Sequence, residues 1–125
     1  MPDDDRRSGA ELRSRRELLG LNIAESATIL GVDERIIRRW EQGRSIPEGV
    51  LRDLAGLERA QDELVVELED LARQTGRIET YRGDDVVPGR ANLPARWHRV
   101  AAATAVRNLA VDGVEACIVY GDDQD

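Results

Sequence analysis

Four residues at spacings of 4, 6 and 3 constrain the fold of this chain most strongly, because they fit the crossing of two short helices. Ala27 is small enough to let the helices approach, and Gly31 tolerates the left-handed backbone of a tight turn. Ile37 and Trp40, three residues apart, supply the inward face of the second helix. The pattern predicts a helix-turn-helix unit in the first half of the chain.

Capping residues and glycines predict the boundaries of the helices in this region. Three polar residues are placed to cap a helix and three glycines to end it: Ser8 with Gly20, Asn22 with Gly31, and Asp33 with Gly43. The first helix would bury Leu12, Leu18 and Leu19. The third, residues 33–42, is the candidate recognition helix.

A fourth helix is predicted from Pro47, and nothing in the sequence interrupts it before Thr75-Gly76. Its apolar positions alternate four and three apart, with one polar residue that we expect to be partly exposed: Val50, Leu54, Leu57, Gln61, Leu64, Leu68 and Leu71. Two interpretations fit this spacing. In the first, Val50 to Leu57 pack on the first three helices and the rest covers the second half of the chain. In the second, the later heptads form part of a dimer seam. The two are compatible, and the sequence leaves open whether the helix is continuous.

The second half of the chain reads as strand, helix and strand. Residues 78–81 and 116–120 have strand-like patterns, 95–110 a helical one, and 83–94 the Gly, Pro and Asp of a loop. His98 is expected to be exposed and Cys117 to lie in the core. Two strands and one helix bury too little apolar area to be stable alone, so the unit should pair with a copy of itself.

The predicted fold is therefore mainly α. A helix-turn-helix bundle of four to five helices over residues 8–58 precedes a linker helix and a small β-α-β-like dimerisation unit over residues 59–125.

Charge and composition restrict the function. The net charge is −7, yet residues 6–52 hold ten Arg against seven acidic residues, and residues 53–125 hold eight against fifteen. The single His98 and single Cys117 lie in separate elements, which gives no catalytic triad, no metal cage and no disulfide framework. No enzymatic activity and no cofactor are expected. An acidic start and short apolar runs predict a cytoplasmic protein.

The stretch LNIAESATILGVDERIIRRWEQGRSIPEGV, residues 21–50, resembles the helix-turn-helix of the Xre (Cro/C1-like) regulators. It is closest to the YdiL-type branch, which includes anti-CRISPR-associated autoregulators. The segment WHRVAA at residues 97–102 is similar to the C-terminal part of that branch.

The resemblance implies that Glu34, Arg35 and Arg39 face base edges, with Ile36 or Arg38 at the flank. The chemistry of these side chains suits base recognition, since Arg offers a fork to guanine, Glu accepts from the cytosine amino group, and Ile touches a thymine methyl.

The resemblance also implies phosphate contacts. Arg16 and Glu41 match a pair that braces the first helix and orients Arg16 at a phosphate. A surface ion pair worth under roughly 1 kcal/mol is the alternative. Arg44 would meet the opposite phosphates, and Asn22 is a further expected contact. Ile23 stands where many relatives have a phosphate-binding Gln, which leaves backbone N–H groups for that contact.

The expected function is that of a dimeric transcriptional regulator, acting as an (auto)repressor on an inverted-repeat operator in double-stranded DNA. The alternative is an antitoxin-type protein whose acidic C-terminal half binds a toxin. The Arg-rich face is also compatible with RNA.

Overall fold

The computed structural model describes residues 5–43, 45–83 and 93–123, and these form five α-helices and one small sheet. The fold is mainly α with a small α+β part after the first helices, which confirms the predicted class. The chain divides into two compact units, Met1–Glu58 and Arg59–Asp125. Among the described residues, no helix combines the length and apolar composition needed to cross a bilayer.

The first unit contains α1 (Gly9–Leu18), α2 (Ile23–Leu30), α3 (Glu34–Glu41) and the beginning of α4 (Glu48–Thr75), after a 3-10 turn at Asp5–Arg7. Its buried apolar side chains are Leu12, Leu19, Leu21, Ala27, Ile37, Ile46 and Leu54. The prediction that Leu18 is buried was wrong, since this side chain is 73% exposed. Leu12 and Leu19 are seven residues apart and lie on the same face of the helix. Leu18 points about 100° away from that face.

The predicted caps of the first three helices are confirmed. Ser8 Oγ accepts the N–H of Glu11 at 3.1 Å, and Asp33 Oδ1 accepts the N–H of Arg35 at 2.8 Å. Asn22 and Glu25 form a reciprocal capping box, with side-chain to backbone distances of 2.7 and 2.8 Å. These bonds satisfy N–H groups that have no partner inside a helix.

Gly31 forms the turn between α2 and α3, as predicted. Its φ of 70° lies in the left-handed region, which side chains with a β-carbon rarely adopt. Two further residues complete the turn before α3 begins at Glu34. The short connection positions α3 directly after α2.

Helix α4 is continuous over 28 residues and runs from the first unit into the second. In the second unit it buries Leu64, Val65, Leu68 and Ala72, so this chain itself covers much of the later heptad face. The expected partial exposure of Gln61 was wrong. This side chain is 8% exposed, and its Nε2 donates to the carbonyl oxygen of Trp97 at 3.1 Å.

The second unit completes the predicted β-α-β order. Strand β1 (Arg77–Thr80) is followed by α5 (Ala95–Val111) and β2 (Cys117–Tyr120). The strands pair in parallel, with Arg77 opposite Cys117 and Thr80 opposite Tyr120. Helix α5 buries a stripe of mostly small residues together with Ile78 of β1: Ala95, Trp97, Ala101, Ala102, Ala105 and Leu109. The predicted loop at 83–94 falls largely on residues 84–92, outside the described residues.

Two further predictions for the second unit, beside that for Gln61, were wrong. His98 is only 6% exposed, because it shares a helical stripe with Ala102, Ala105 and Leu109, at spacings of four, three and four. Its Nδ1 lies 2.7 Å from Oγ1 of Thr80. Cys117 is exposed instead of buried, since its register partner Arg77 lies on the open face of the sheet.

Candidate nucleic-acid interface

Helix α3 has one fully buried side chain and a broad exposed surface. Ile37 is 0% exposed and fixes which side of the helix faces the core. At about 100° per residue, Arg35 and Arg39 each point roughly 160° away from Ile37. These two arginines therefore lie four residues apart on the side of α3 most distant from the core.

The five base-reading candidates on α3 are all exposed: Glu34, Arg35, Ile36, Arg38 and Arg39. Arg38 pairs with Glu34 at 3.3 Å, and Arg35 pairs with Asp33 at 3.5 Å. Exposed ion pairs of this kind contribute about 0–1 kcal/mol, so a stronger acceptor can replace them at little cost. The side chain of Arg39 forms no ion pair or hydrogen bond with any residue that the structure describes.

Trp40 contributes less to the core than its spacing from Ile37 suggests. It is half-buried, while Ile37 is completely enclosed. The seating of α3 in the first unit therefore depends chiefly on Ile37.

A buried ion pair joins α1 to the last residue of α3. Nε of Arg16 donates to Glu41 at 2.7 Å, Nη2 donates to the other carboxylate oxygen at 3.0 Å, and Nη1 donates to the carbonyl oxygen of Leu21 at 2.9 Å. The exposed fractions of the Arg16 and Glu41 side chains are only 9% and 6%. The alternative of a surface pair is therefore wrong.

The hydrogen bond that Arg16 donates to Glu41 is the main reason that the pKa of Arg16 is raised above its ordinary value, against the lowering effect of burial. Arg16 remains charged at every accessible pH. Three hydrogen bonds fix its guanidinium: two to Glu41 of α3 and one to the carbonyl of Leu21 in the chain before α2.

Gly9 is a second point of contact between α1 and α3, and sequence analysis missed it. Its N–H donates to the carbonyl oxygen of Gly43 at 2.8 Å. A β-carbon placed on Gly9 would overlap the backbone carbonyl of Glu41. The signal that could have indicated this close approach is a glycine directly after the Ser8 cap, at a position where helices favour other residues.

A depression of about 480 Å³ lies beside these elements. The residues that line it are Arg13, Arg16, Ile23, Arg38, Glu41 and Gln42. Ile23 is the first residue of α2, where backbone N–H groups have no partner within the helix. Three arginines beside a helix N-terminus form a suitable environment for a phosphate. Arg13, which is exposed and pairs with Glu17 at 3.6 Å, was not identified from the sequence.

The predicted site residues thus fall into two groups. Arg16 and Arg38 line the depression, while Arg35 and Arg39 lie on the outer side of α3. Asn22 uses its side-chain oxygen to cap α2. Arg44 lies outside the described residues. Among the described residues, no group of His, Cys, Asp and Glu side chains is arranged to hold a metal ion.

Comparison of the chain with models of known protein families and with curated proteins finds no match.

Proposed function

We propose that this protein is a sequence-specific DNA-binding transcriptional regulator of the Xre helix-turn-helix type, which inserts α3 into the major groove. The observation that carries the proposal is the exposure of α3. A short, capped helix is held by Ile37 on one side, and three arginines, one glutamate and one isoleucine are presented on the others. The major groove of B-DNA admits a helix, and these side chains match its hydrogen-bonding groups.

Base reading is assigned to Arg35 and Arg39. Both point away from the core, and Arg39 has no competing ion pair among the described residues. An arginine makes two hydrogen bonds to guanine, worth about 1–3 kcal/mol of discrimination. Glu34 and Ile36 flank these two positions and would contact neighbouring base pairs.

Phosphate binding is assigned to the depression between α1, α2 and α3. Arg13 and Arg38 supply charge there, and the start of α2 at Ile23 supplies N–H groups. Arg16 lines the same depression, but it is tied to Glu41 and Leu21. We therefore assign Arg16 the role of holding α1 and α3 in register, so that both groups of arginines meet one duplex.

The uneven charge supports the orientation of the protein on DNA. The ten arginines among residues 6–52 outnumber the seven acidic residues of that segment, whereas residues 53–125 are strongly acidic. One recognition helix reads about half of a useful site, so the protein would act as a dimer on an inverted repeat. Occupying a promoter, that of its own operon included, would make it a repressor.

The test begins by selecting bound sequences from random DNA duplexes. Binding to the selected duplex and to a scrambled one is then measured at several salt concentrations. We expect Arg35→Ala and Arg39→Ala each to reduce the free energy of binding to the selected duplex by about 1–3 kcal/mol. Binding to the scrambled duplex should change little. Arg13→Ala should weaken binding to both duplexes by the same factor. It should also reduce the salt dependence of binding by the equivalent of about one phosphate contact.

Arg107→Ala is the matched control, since it removes the same charge from an exposed position on α5. It should change neither specificity nor the salt dependence appreciably. Equal losses on both duplexes for Arg35→Ala and Arg39→Ala would show that another surface reads the bases. Equally tight binding to double-stranded RNA would contradict the proposal, because the narrow major groove of A-form RNA excludes α3.

A further inference from the structure

Strand β2 has an open edge. Its Cys117 N–H donates to the carbonyl oxygen of Gly76 at 3.1 Å, so the backbone groups of Cys117 point toward β1. Backbone groups alternate in direction along a strand, and those of Ile118 therefore point away from β1. In the part of the chain that the structure describes, β1 is the only strand that pairs with β2. This edge can accept a further strand.

The same strand is apolar and incompletely covered. Ile118 is the register partner of Ile78, and both lie on the side of the sheet that faces α5. Ile78 is 0% exposed, whereas Ile118 is 40% exposed. Parallel strands are normally covered on both faces, so the covering layer over β2 is incomplete.

A groove continues this uncovered surface at the beginning of β2. It has a volume of about 790 Å³, and its apolar side chains are Val106 and Ala110 of α5 with Val114 and Ala116 of the following segment. Glu115 and Cys117 also line it. The groove therefore reaches Cys117, the residue that precedes Ile118 on the open edge.

We propose that this surface is the dimer interface, and that its occupant is β2 of a second copy of this chain. The two β2 strands pair in antiparallel fashion about a twofold axis at Ile118. The result is a mixed four-stranded sheet in the order β1, β2, β2 of the partner, β1 of the partner. In this register Tyr120 of each copy lies opposite Ala116 of the other, at the groove. Within its own chain the Tyr120 ring is covered on one face by the Arg82 guanidinium, 4.3 Å from the ring centroid, so it would reach the partner's groove with its other face.

The charge pattern favours a second copy in this register. No residue of Cys117–Tyr120 is charged, so self-pairing brings no like charges together within the strands. Beyond Tyr120 the chain leaves the strand in a 3-10 helix, Gly121–Asp123, so the strand register does not extend to the acidic Asp122.

Other surfaces are less suited to self-association. The opposite edge of the sheet belongs to β1, where the outward-facing Arg77 and Glu79 are charged and exposed. Leu64 and Leu68 of α4 are buried within the second unit, which leaves Leu71, 45% exposed, as the only exposed leucine of the later heptads in the described part of the chain.

The inference refines the dimer of the proposed function, but sedimentation without DNA tests it independently. At micromolar concentration, the unmodified protein should sediment as a dimer. Ile118→Lys and Ile118→Glu should each weaken dimerisation by roughly 100-fold or more, because the axis places two like charges side by side. An equimolar mixture of the two variants should form a heterodimer, since the charges are then opposite.

Val66→Lys is the matched control, because Val66 is an exposed apolar residue of α4 in the same unit, 55% exposed. It should remain a dimer. Rescue by mixing also shows that the single variants are folded. A monomeric parent protein, a dimeric Ile118→Lys variant, or a mixture that stays monomeric would each overturn the interface. In the first case, binding of single half-sites through α3 would still support the proposed function.

Discussion

Nε and Nη2 of Arg16 donate to the two carboxylate oxygens of Glu41, at 2.7 and 3.0 Å, and so join α1 to the last residue of α3. Both side chains are more than nine-tenths buried. A buried ion pair offsets the cost of removing two charges from water only when both partners are present. The pair therefore fixes α3 against α1 and makes each partner dependent on the other.

Glu41→Gln should destabilise the protein by about 3–5 kcal/mol, because it leaves the Arg16 charge buried without a counter-charge. Urea denaturation measures this loss. Glu34→Gln is the control, since Glu34 pairs with Arg38 at an exposed position and its loss should cost less than about 1 kcal/mol. Similar losses for the two variants would mean that the Arg16–Glu41 pair is solvated in solution.

The double variant Arg16→Met, Glu41→Leu should recover most of the stability lost by Glu41→Gln. Replacing both members of a buried ion pair with apolar residues of similar size is often neutral or stabilising. Urea denaturation of the three proteins gives the comparison. A double variant as unstable as Glu41→Gln would show that the hydrogen bond from Arg16 to the carbonyl of Leu21 is essential.

Gly9→Ala should destabilise the first unit by about 3 kcal/mol, the upper end of ordinary overpacking costs, because its β-carbon would overlap the Glu41 carbonyl. Thermal or urea unfolding measures this. Gly49→Ala is the control: Gly49 lies in α4, and its β-carbon would have Arg52 Nη2 no closer than 3.7 Å. That change should be neutral or mildly stabilising. If Gly9→Ala is neutral, α1 and α3 do not approach this closely.

Ile37→Ala should cost about 2–5 kcal/mol, because it opens a cavity beneath α3. The neighbouring Ile36→Ala, at a position 37% exposed, should cost less than about 1 kcal/mol. The free energy of unfolding separates them. Ile36→Ala should instead alter the preference for one base pair, if Ile36 contacts a thymine methyl. The reverse order of stabilities would mean that α3 is rotated from the position described.

Thr80→Val should destabilise the second unit by about 1–3 kcal/mol, because it leaves Nδ1 of the buried His98 without the hydroxyl that lies 2.7 Å away. Thr104→Val is the control. Its hydroxyl donates at 2.8 Å to the carbonyl of Val100, which keeps a hydrogen bond within α5. That change should be nearly neutral by urea denaturation, and a comparable loss would argue against a specific Thr80–His98 bond.

Local signals in the sequence determined most of the secondary structure. Ser8, Asn22 and Asp33 cap the helices that they were expected to cap, and Gly31 has the positive φ that its turn requires. Capping and turn conformation depend on interactions within a few residues, so the sequence reveals them directly. The alternation of α4 left open whether this helix is continuous, and the structure shows that it runs without interruption to Thr75.

Tertiary structure alone decided which sides of these elements are buried and which polar groups meet. Leu18 is exposed, while Gln61 and His98 are enclosed beside Trp97 and Thr80, because burial depends on residues far away in the chain. The close approach of Gly9 to Glu41 is of the same kind. A contact between residues 18 to 36 positions apart produces no periodic pattern in the sequence. Only the packing of the whole chain brings such residues together.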